Sequence, residues 1–261
     1  MRSIIKNILG CSLLLLLLLS VLFSCNNPDK ISDENIPKVE KKSGQPTIIA
    51  SLNAVAPDSV RKNFQNLISV ADCVSPLGKY TTQVNTDSGG YMYLKQGFSY
   101  GPKPFEAVLL KNSAWFILGD STGPLPSALV FTVRSQAILN VLLEPLQQFH
   151  DFEDAGPIKM NDQILQKIKA KDKINNYCAL YFDTVDRKLS AWEFINPDRR
   201  IDTILVRFSD WKNTGGFNLP FHADIEQRGK QLTFDFTRIE INSLNFKRIT
   251  ITPPRRTNKK K

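Results

Sequence analysis

The residue types that most often bind metals or catalyse reactions form no recognised pattern in this chain. Its only two histidines, His150 and His222, lie outside any His-x-x-x-His or Glu-x-x-His spacing, which would place two metal ligands on one helix face. The sequence also contains no Cys-x-x-Cys pair, no Gly-x-Ser-x-Gly turn and no glycine-rich phosphate loop. We therefore expect no metal site, no cofactor and no catalytic residue, and interpret both histidines as structural.

Two carboxylates are the strongest candidates for acid–base chemistry. Asp224 and Glu226 lie two residues apart in a segment with strand character, so their side chains should face the same side. General acid–base catalysis uses such pairs. A solvated strand face that also carries Arg228 explains the same pattern without catalysis. A hydrolase is therefore the third hypothesis for this chain, behind two non-enzymatic ones.

The first 24 residues have the composition of an export signal. Arg2 and Lys6 precede an apolar run from Ile8 to Phe23, which includes seven consecutive leucines. This run is shorter than the roughly 20 apolar residues that a membrane-spanning helix needs. The pattern predicts a signal peptide over residues 1–24, which is absent from the mature protein.

The leader ends in a motif that resembles the lipobox of bacterial lipoproteins, Leu22-Phe23-Ser24-Cys25. The resemblance implies that Cys25 becomes the first mature residue and carries diacylglycerol through a thioether, with palmitate among its acyl chains. Membrane lipid is then a partner of the chain. Cys11 is a weaker candidate, because few apolar residues precede it. Asn26 is not the aspartate that retains lipoproteins in the inner membrane in the best-known systems, which implies the cell outer membrane, on its periplasmic side or at the cell surface.

Two cysteines, Cys73 and Cys178, remain in the predicted mature chain. An oxidising periplasm would allow a disulfide between them. Two separate buried thiols are the alternative, because the sequence does not fix the distance between the residues. Both alternatives stay open at this point.

Composition and charge divide the chain into four parts. Of its 261 residues 42% are hydrophobic and 23% charged, which is typical of one soluble globular domain. After the signal peptide, residues 25–57 have the polar composition of a flexible tether, residues 58–252 form the predicted domain, and residues 253–261 form a basic tail. This tail is either a solvated end or a contact for anionic headgroups. Nucleic acid is an unlikely partner for an exported chain without an aromatic and basic motif.

Hydrophobic periodicity predicts two helices and two groups of strands. The first helix is expected from Asp58 to near the Ser75-Pro76 pair and the second over Val133 to Phe149, with Pro145 kinking or restarting it. The predicted strands are Tyr80–Thr86, Tyr91–Tyr100, Phe105–Leu110, Trp115–Leu118, Ile164–Ala170, Tyr177–Phe182, Leu189–Ile195, Ile201–Phe208, Leu219–Glu226 and Leu232–Ile241. In the last strand the apolar phase shifts by one residue near Thr237-Arg238, which predicts a β-bulge.

This element order predicts an α+β fold in which a curved antiparallel sheet, an incomplete β-barrel, packs around one or two helices. The segment Arg207-Phe208-Ser209-Asp210-Trp211, followed by Gly215-Gly216-Phe217-Asn218-Leu219-Pro220 and the strand to Glu226, resembles the periplasmic lipoprotein-carrier and outer-membrane lipoprotein-receptor fold, as it also occurs in uncharacterised lipoproteins of Bacteroidota. The similarity covers about fifty residues. It implies a half-barrel with an apolar cavity for acyl chains.

The leading hypothesis is a membrane-anchored, non-enzymatic lipoprotein that binds an apolar ligand or assists lipid or lipoprotein handling in the cell envelope. Trp115, Phe234 and Phe236 are the candidates for residues that line a ligand cavity, although ordinary core packing also explains such strand aromatics. The alternative is an interaction subunit of an envelope complex with a closed core and no ligand cavity.

Overall fold

A computed structural model describes residues 42–99, 101, 103–111, 113–195 and 202–250, which belong to one compact unit. The predicted signal peptide, Cys25 and the basic tail over 253–261 lie outside these residues. The described chain forms one 13-stranded antiparallel sheet with a few short helices. The predicted fold class is confirmed: the sheet is open, as in an incomplete barrel.

The strands of the first half form a meander in which each strand pairs with the next. Its helices and strands are α1 (Gln45–Val55), α2 (Asp58–Arg61), β1 (Asn66–Ser75), β2 (Gly78–Asp87), β3 (Met92–Phe98), β4 (Phe105–Leu109), β5 (Ala114–Leu118) and β6 (Ser121–Pro124).

Three short helices follow and lead into a second meander. The elements are α3 (Ser127–Ser135), α4 (Asn140–Leu143), α5 (Pro145–Gln148), β7 (Phe149–Met160), β8 (Gln163–Asp172), β9 (Tyr177–Asp183), β10 (Leu189–Ile195), β11 (Thr203–Thr214), β12 (Phe217–Gln227) and β13 (Lys230–Ile241).

The first and last strands join the two meanders, because β1 pairs with both β2 and β13. Along this junction the partner of Val70 is Arg238, whereas the partner of Ala71 is Phe236. Thr237 is therefore skipped, and the predicted β-bulge at this place is confirmed.

The prediction of a helix that begins at Asp58 was wrong for most of its length. Only the four residues of α2 are helical, and β1 begins at Asn66. As a central strand, β1 is buried on both faces: Leu67 is 1% and Ile68 3% exposed. Such a strand has a nearly continuous apolar sequence, and its spacing coincided with a helical period.

The predicted tether was also wrong in its last part, because residues 45–55 form α1. Ile48 and Val55 of this helix are buried in the main core. The preceding residues lie along the edge strand β7, where the Gly44 amide donates to the Phe152 carbonyl at 3.1 Å. A side chain at Gly44 would collide with Ile168, since a Cβ there would lie 2.7 Å from it. This part of the predicted tether is therefore not polar like the rest, because its apolar residues Ile48, Leu52 and Val55 are buried.

The segment whose sequence resembles the lipoprotein-carrier fold forms the hairpin of β11 and β12. Gly215 and Gly216 have φ values of +58° and +84°, a left-handed conformation that favours glycine. Two such residues make the tight turn between long antiparallel strands.

The inner face of the sheet, defined here as the face that contacts the helices, holds the main core. The predicted helix over Val133–Phe149 is instead three pieces, α3 to α5, of which the last restarts at Pro145 as expected. Val133 packs against strands of the first meander, whereas Val141 and Leu142 belong to the main core. In the described part of the chain, no helix has the length and apolar character needed to cross a membrane.

Candidate functional site

A cavity of about 450 Å³ lies between the helices and the inner face of the sheet. Helices α3, α4 and α5 form one side of it, and residues from β2 to β4 and from β8 to β10 form the other. Both meanders thus contribute to its wall. Its volume is within the range of about 300–1,000 Å³ that is typical of small-molecule sites.

The deep part of the cavity is apolar. Six apolar residues line it with less than a tenth of their surface exposed: Met92, Leu109, Val141, Phe149, Cys178 and Phe194. None of these carries a formal charge under ordinary conditions, so the deep part favours alkyl or aromatic groups over ions.

An aromatic group forms the wall on the side of the second meander. Trp192 stacks on Phe194 with ring centroids 4.3 Å apart, and Phe149 meets Trp192 edge-on at 5.8 Å. The indole nitrogen Nε1 of Trp192 is buried and has no hydrogen-bond partner among the described residues.

The β2–β3 turn forms part of the cavity rim and is held by the C-terminal strap, which we define as residues 243–250. Asp87 accepts hydrogen bonds from two amides of its own turn, and Arg248 of the strap pairs with its other oxygen at 2.5 Å. On the outer face of the sheet, Phe246 of the strap meets Tyr91 edge-on at 5.9 Å. The strap thus fixes the rim from outside.

The rest of the rim is polar and carries two exposed cations, Arg134 at the end of α3 and Lys173 in the β8–β9 loop. Glu144 also lines the cavity, and its carboxylate accepts a hydrogen bond from Gln147 at 3.1 Å. Burial raises the pKa of Glu144 above its ordinary value, and the charge of Lys173 opposes this shift in part.

None of the three aromatic residues predicted to line a ligand cavity lies in this one. Phe234 and Phe236 point to the inner face but are 2% and 7% exposed, fully inside the main core. Trp115 is half-buried on β5, opposite Pro124 of β6. The alternation in β13 correctly identified the buried face, but the neighbouring strands and α1 fill the space above it.

Cys73 and Cys178 are both free and buried in the structure, which favours the second of the two alternatives for them. Burial raises the pKa of each thiol to about 12. A thiol in this state is protonated and unreactive, so Cys178 contributes to the cavity wall as an apolar side chain.

The carboxylate pair considered for acid–base chemistry lies away from the cavity, on the exposed outer face of β12. Asp224 contacts His222 Nε2 at 3.3 Å, and Glu226 pairs with Arg207 at 3.0 Å. His222 Nδ1 also lies 2.6 Å from Asp235 of β13. Each carboxylate thus has a cationic or titratable partner of its own, as expected for a surface network that ties strands together. Arg228 is paired elsewhere, with Asp202 at 2.6 Å.

His150 is exposed and lies 3.8 Å from Asp151 in β7. Over the part of the chain that the structure describes, no group of three or more potential ligand side chains could hold a metal ion.

The sequence analysis missed the residues that do form the cavity. Trp192 and Phe194 alternate with Glu193 along β10, a signal that one face of this strand is aromatic. Arg134 and Lys173 gave no such signal, because each is an ordinary surface cation until the fold brings the two to one rim.

Comparison with known proteins supports the fold. No protein-family profile matches the sequence, and no curated protein is found similar to it. Among solved structures, a LolA superfamily protein from Nitrosomonas europaea is similar with a TM-score of 0.55 at 13% identity, over 78% of this chain and 95% of that one. A DUF1329 family protein from Desulfovibrio piger gives a TM-score of 0.48 at 9% identity, over 78% and 94% of the two chains. The first similarity shows that this chain shares the fold of that LolA superfamily protein.

Proposed function

We propose that this protein is a non-enzymatic carrier that binds the acyl chain of a lipid or lipoprotein in the bacterial cell envelope. The observation that carries this proposal is the cavity of about 450 Å³ with its deep apolar part and polar rim. An acyl chain buried there would leave water at a gain of about 0.8 kcal/mol per methylene. The fold is compatible with this role.

The cavity favours ligand binding over the alternative, an interaction subunit with a closed core. Side chains fill most of the inner face of the sheet, as the positions of Phe234 and Phe236 show. The space that remains open lies between the two meanders and under α3, where opening of that helix would admit a chain. A closed interaction module has no need of such a space.

The anchoring part of the proposal rests on the leader and its resemblance to a lipobox. We propose that Cys25 is acylated, with palmitate among its chains, and that Asn26 directs the mature protein to the outer membrane. A lipid anchor would keep the cavity close to a membrane from which it could take its ligand. The basic tail over residues 253–261, which includes Arg255 and Lys261, would contact anionic headgroups of that membrane.

Ligand binding can be tested on the mature chain from Asn26 onward, which contains the whole compact unit over residues 41–261. Lipid extracted from the purified protein should include acyl chains on mass spectrometry, and a neutral fluorescent probe such as N-phenyl-1-naphthylamine should bind and be displaced by fatty acids. Ala137 lines the cavity, so Ala137→Trp should fill it and weaken binding at least about tenfold.

The matched control is Thr81→Trp, which adds the same ring at an exposed strand position outside the cavity lining. It should bind like the unchanged protein. Absence of co-purifying lipid together with no probe binding would refute the proposed function. Equal binding by both variants would place the ligand elsewhere.

Acylation is tested separately in cells with an alkyne analogue of palmitate. Cys25→Ser should abolish the label, because serine has no thiol to form the thioether, whereas Cys11→Ser should keep it. Label that persists on Cys25→Ser would contradict the assignment of the lipidation site.

A further inference from the structure

The charges at the cavity rim indicate which class of ligand fits the site. Building on the acyl-chain binding proposed above, we propose that the ligand is an anionic amphiphile, whose chain lies in the cavity and whose carboxylate or phosphate headgroup lies between Arg134 and Lys173.

Both cations line the cavity and are free to accept an anion. Arg134 is in the last turn of α3, and Lys173 lies at the start of the loop that joins β8 to β9. Neither forms an ion pair within 4.0 Å with any residue that the structure describes. Arg134 belongs to the helices that form one side of the cavity, and Lys173 belongs to the strands and loops that form the other.

The two aspartates of the rim already have hydrogen-bond or ion-pair partners of their own. Asp87 is paired with Arg248 and accepts from two backbone amides. Asp172 accepts from the amides of Ile174 and Asn176, both at 2.9 Å, and from the side chain of Asn176. These carboxylates are therefore poor competitors for the two free cations.

Glu144 is the remaining carboxyl of the rim, and its half-buried position favours the neutral form. Burial raises its pKa, and its oxygen accepts from Gln147 rather than from either rim cation. Arg134 and Lys173 are thus the two charged lining side chains that have neither an ion pair nor a side-chain hydrogen bond with any described residue.

The experiment compares ligands with one chain and different headgroups on the mature chain from Asn26 onward. Dodecanoate, dodecyl phosphate and the neutral dodecanol each displace N-phenyl-1-naphthylamine, which is itself uncharged. At low ionic strength we expect both anions to bind about tenfold tighter than dodecanol, equal to about 1.4 kcal/mol, and high salt to reduce this difference. A larger effect for one anion identifies the headgroup as a carboxylate or a phosphate.

The double variant Arg134→Gln/Lys173→Gln should lose most of the roughly tenfold preference for anions and bind dodecanol as before. Unchanged dodecanol binding also shows that the variant is folded. The control Lys79→Gln/Lys230→Gln removes the same net charge at two exposed lysines outside the cavity and should keep the preference.

Equal affinity of the unchanged protein for dodecanoate and dodecanol would overturn the inference and leave the proposed function intact. The same is true if the control variant loses as much affinity for anions as the rim variant, since the effect would then come from net charge alone. If neither the probe nor any of the ligands binds, the proposed function itself fails.

Discussion

Truncation of Phe234 separates its role in the core from the ligand-lining role that the sequence suggested for it. Phe234 is 2% exposed on the inner face of β13, and its ring meets Tyr80 edge-on with centroids 6.3 Å apart. Its cross-strand neighbours are Cys73 on β1 and Ala223 on β12, so it packs at the junction of the two meanders.

Phe234→Ala should lower the free energy of unfolding by about 3–5 kcal/mol, the usual cost of removing a phenyl ring from a packed core. For a domain of about 200 residues each kcal/mol lowers Tm by about 2–4 °C, so a drop of about 6–20 °C is expected. Urea unfolding followed by circular dichroism measures the free energy, with an unchanged slope m as a check on two-state behaviour.

The matched control is Phe246→Ala on the C-terminal strap, a half-buried ring that should cost only about 1–2 kcal/mol. Below its unfolding transition, Phe234→Ala should still bind the fluorescent probe, because Phe234 does not line the cavity. A cost below about 1 kcal/mol would show that the junction is loosely packed. Loss of probe binding in the folded variant would return Phe234 to the ligand site.

Three further predictions follow from polar and ionisable groups. Burial alone would lower the pKa of His222, but its two aspartate partners outweigh this effect and raise the pKa. The stability that His222 contributes should be complete below about pH 6.5 and decline as the pH rises through the raised pKa. In His222→Gln, this decline should be absent from the pH dependence of the free energy of unfolding. Because burial raises the pKa of Cys73 and Cys178 to about 12, Ellman's reagent should react with neither thiol in the native protein and with both in denaturant. Rapid reaction of either thiol in the native protein would contradict its burial. Arg248→Ala should leave Asp87 without its cationic partner and lower the free energy of unfolding by about 1 kcal/mol. Amide hydrogen exchange in the β2–β3 turn should also become faster. Unchanged exchange there would show that the strap does not hold the rim.

Much of the fold follows from local sequence patterns. Alternation identifies the buried face of the first part of β13, and the phase change near Thr237 locates the bulge. The Gly215-Gly216 pair sets the turn between β11 and β12. These features depend on neighbours within a few residues, so they can be predicted from the local sequence.

The strands at the middle and at the edge of the sheet were not recognised from local sequence patterns, for opposite reasons. The central strand β1 is buried on both faces and lost its alternation. The edge strand β7 contains Gly156, Pro157 and two register shifts, features that protect an edge from further pairing but hide a strand from sequence inspection. Helix α1 is ordered by the core that it covers, through contacts with residues far away in the chain.

The candidate site depends still more on tertiary structure. The sequence determined that the chain carries an export signal pattern, a lipobox-like motif and strand aromatics with apolar partners. Only the fold decided that Phe234 fills the core while Trp192 and Phe194 line a cavity, because this depends on which strands α3 to α5 cover. The two rim cations, Arg134 and Lys173, line one cavity because pairing of β1 with β13 brings the two meanders into one sheet. No local pattern of residues encodes a site that is shared by such separate segments of the chain.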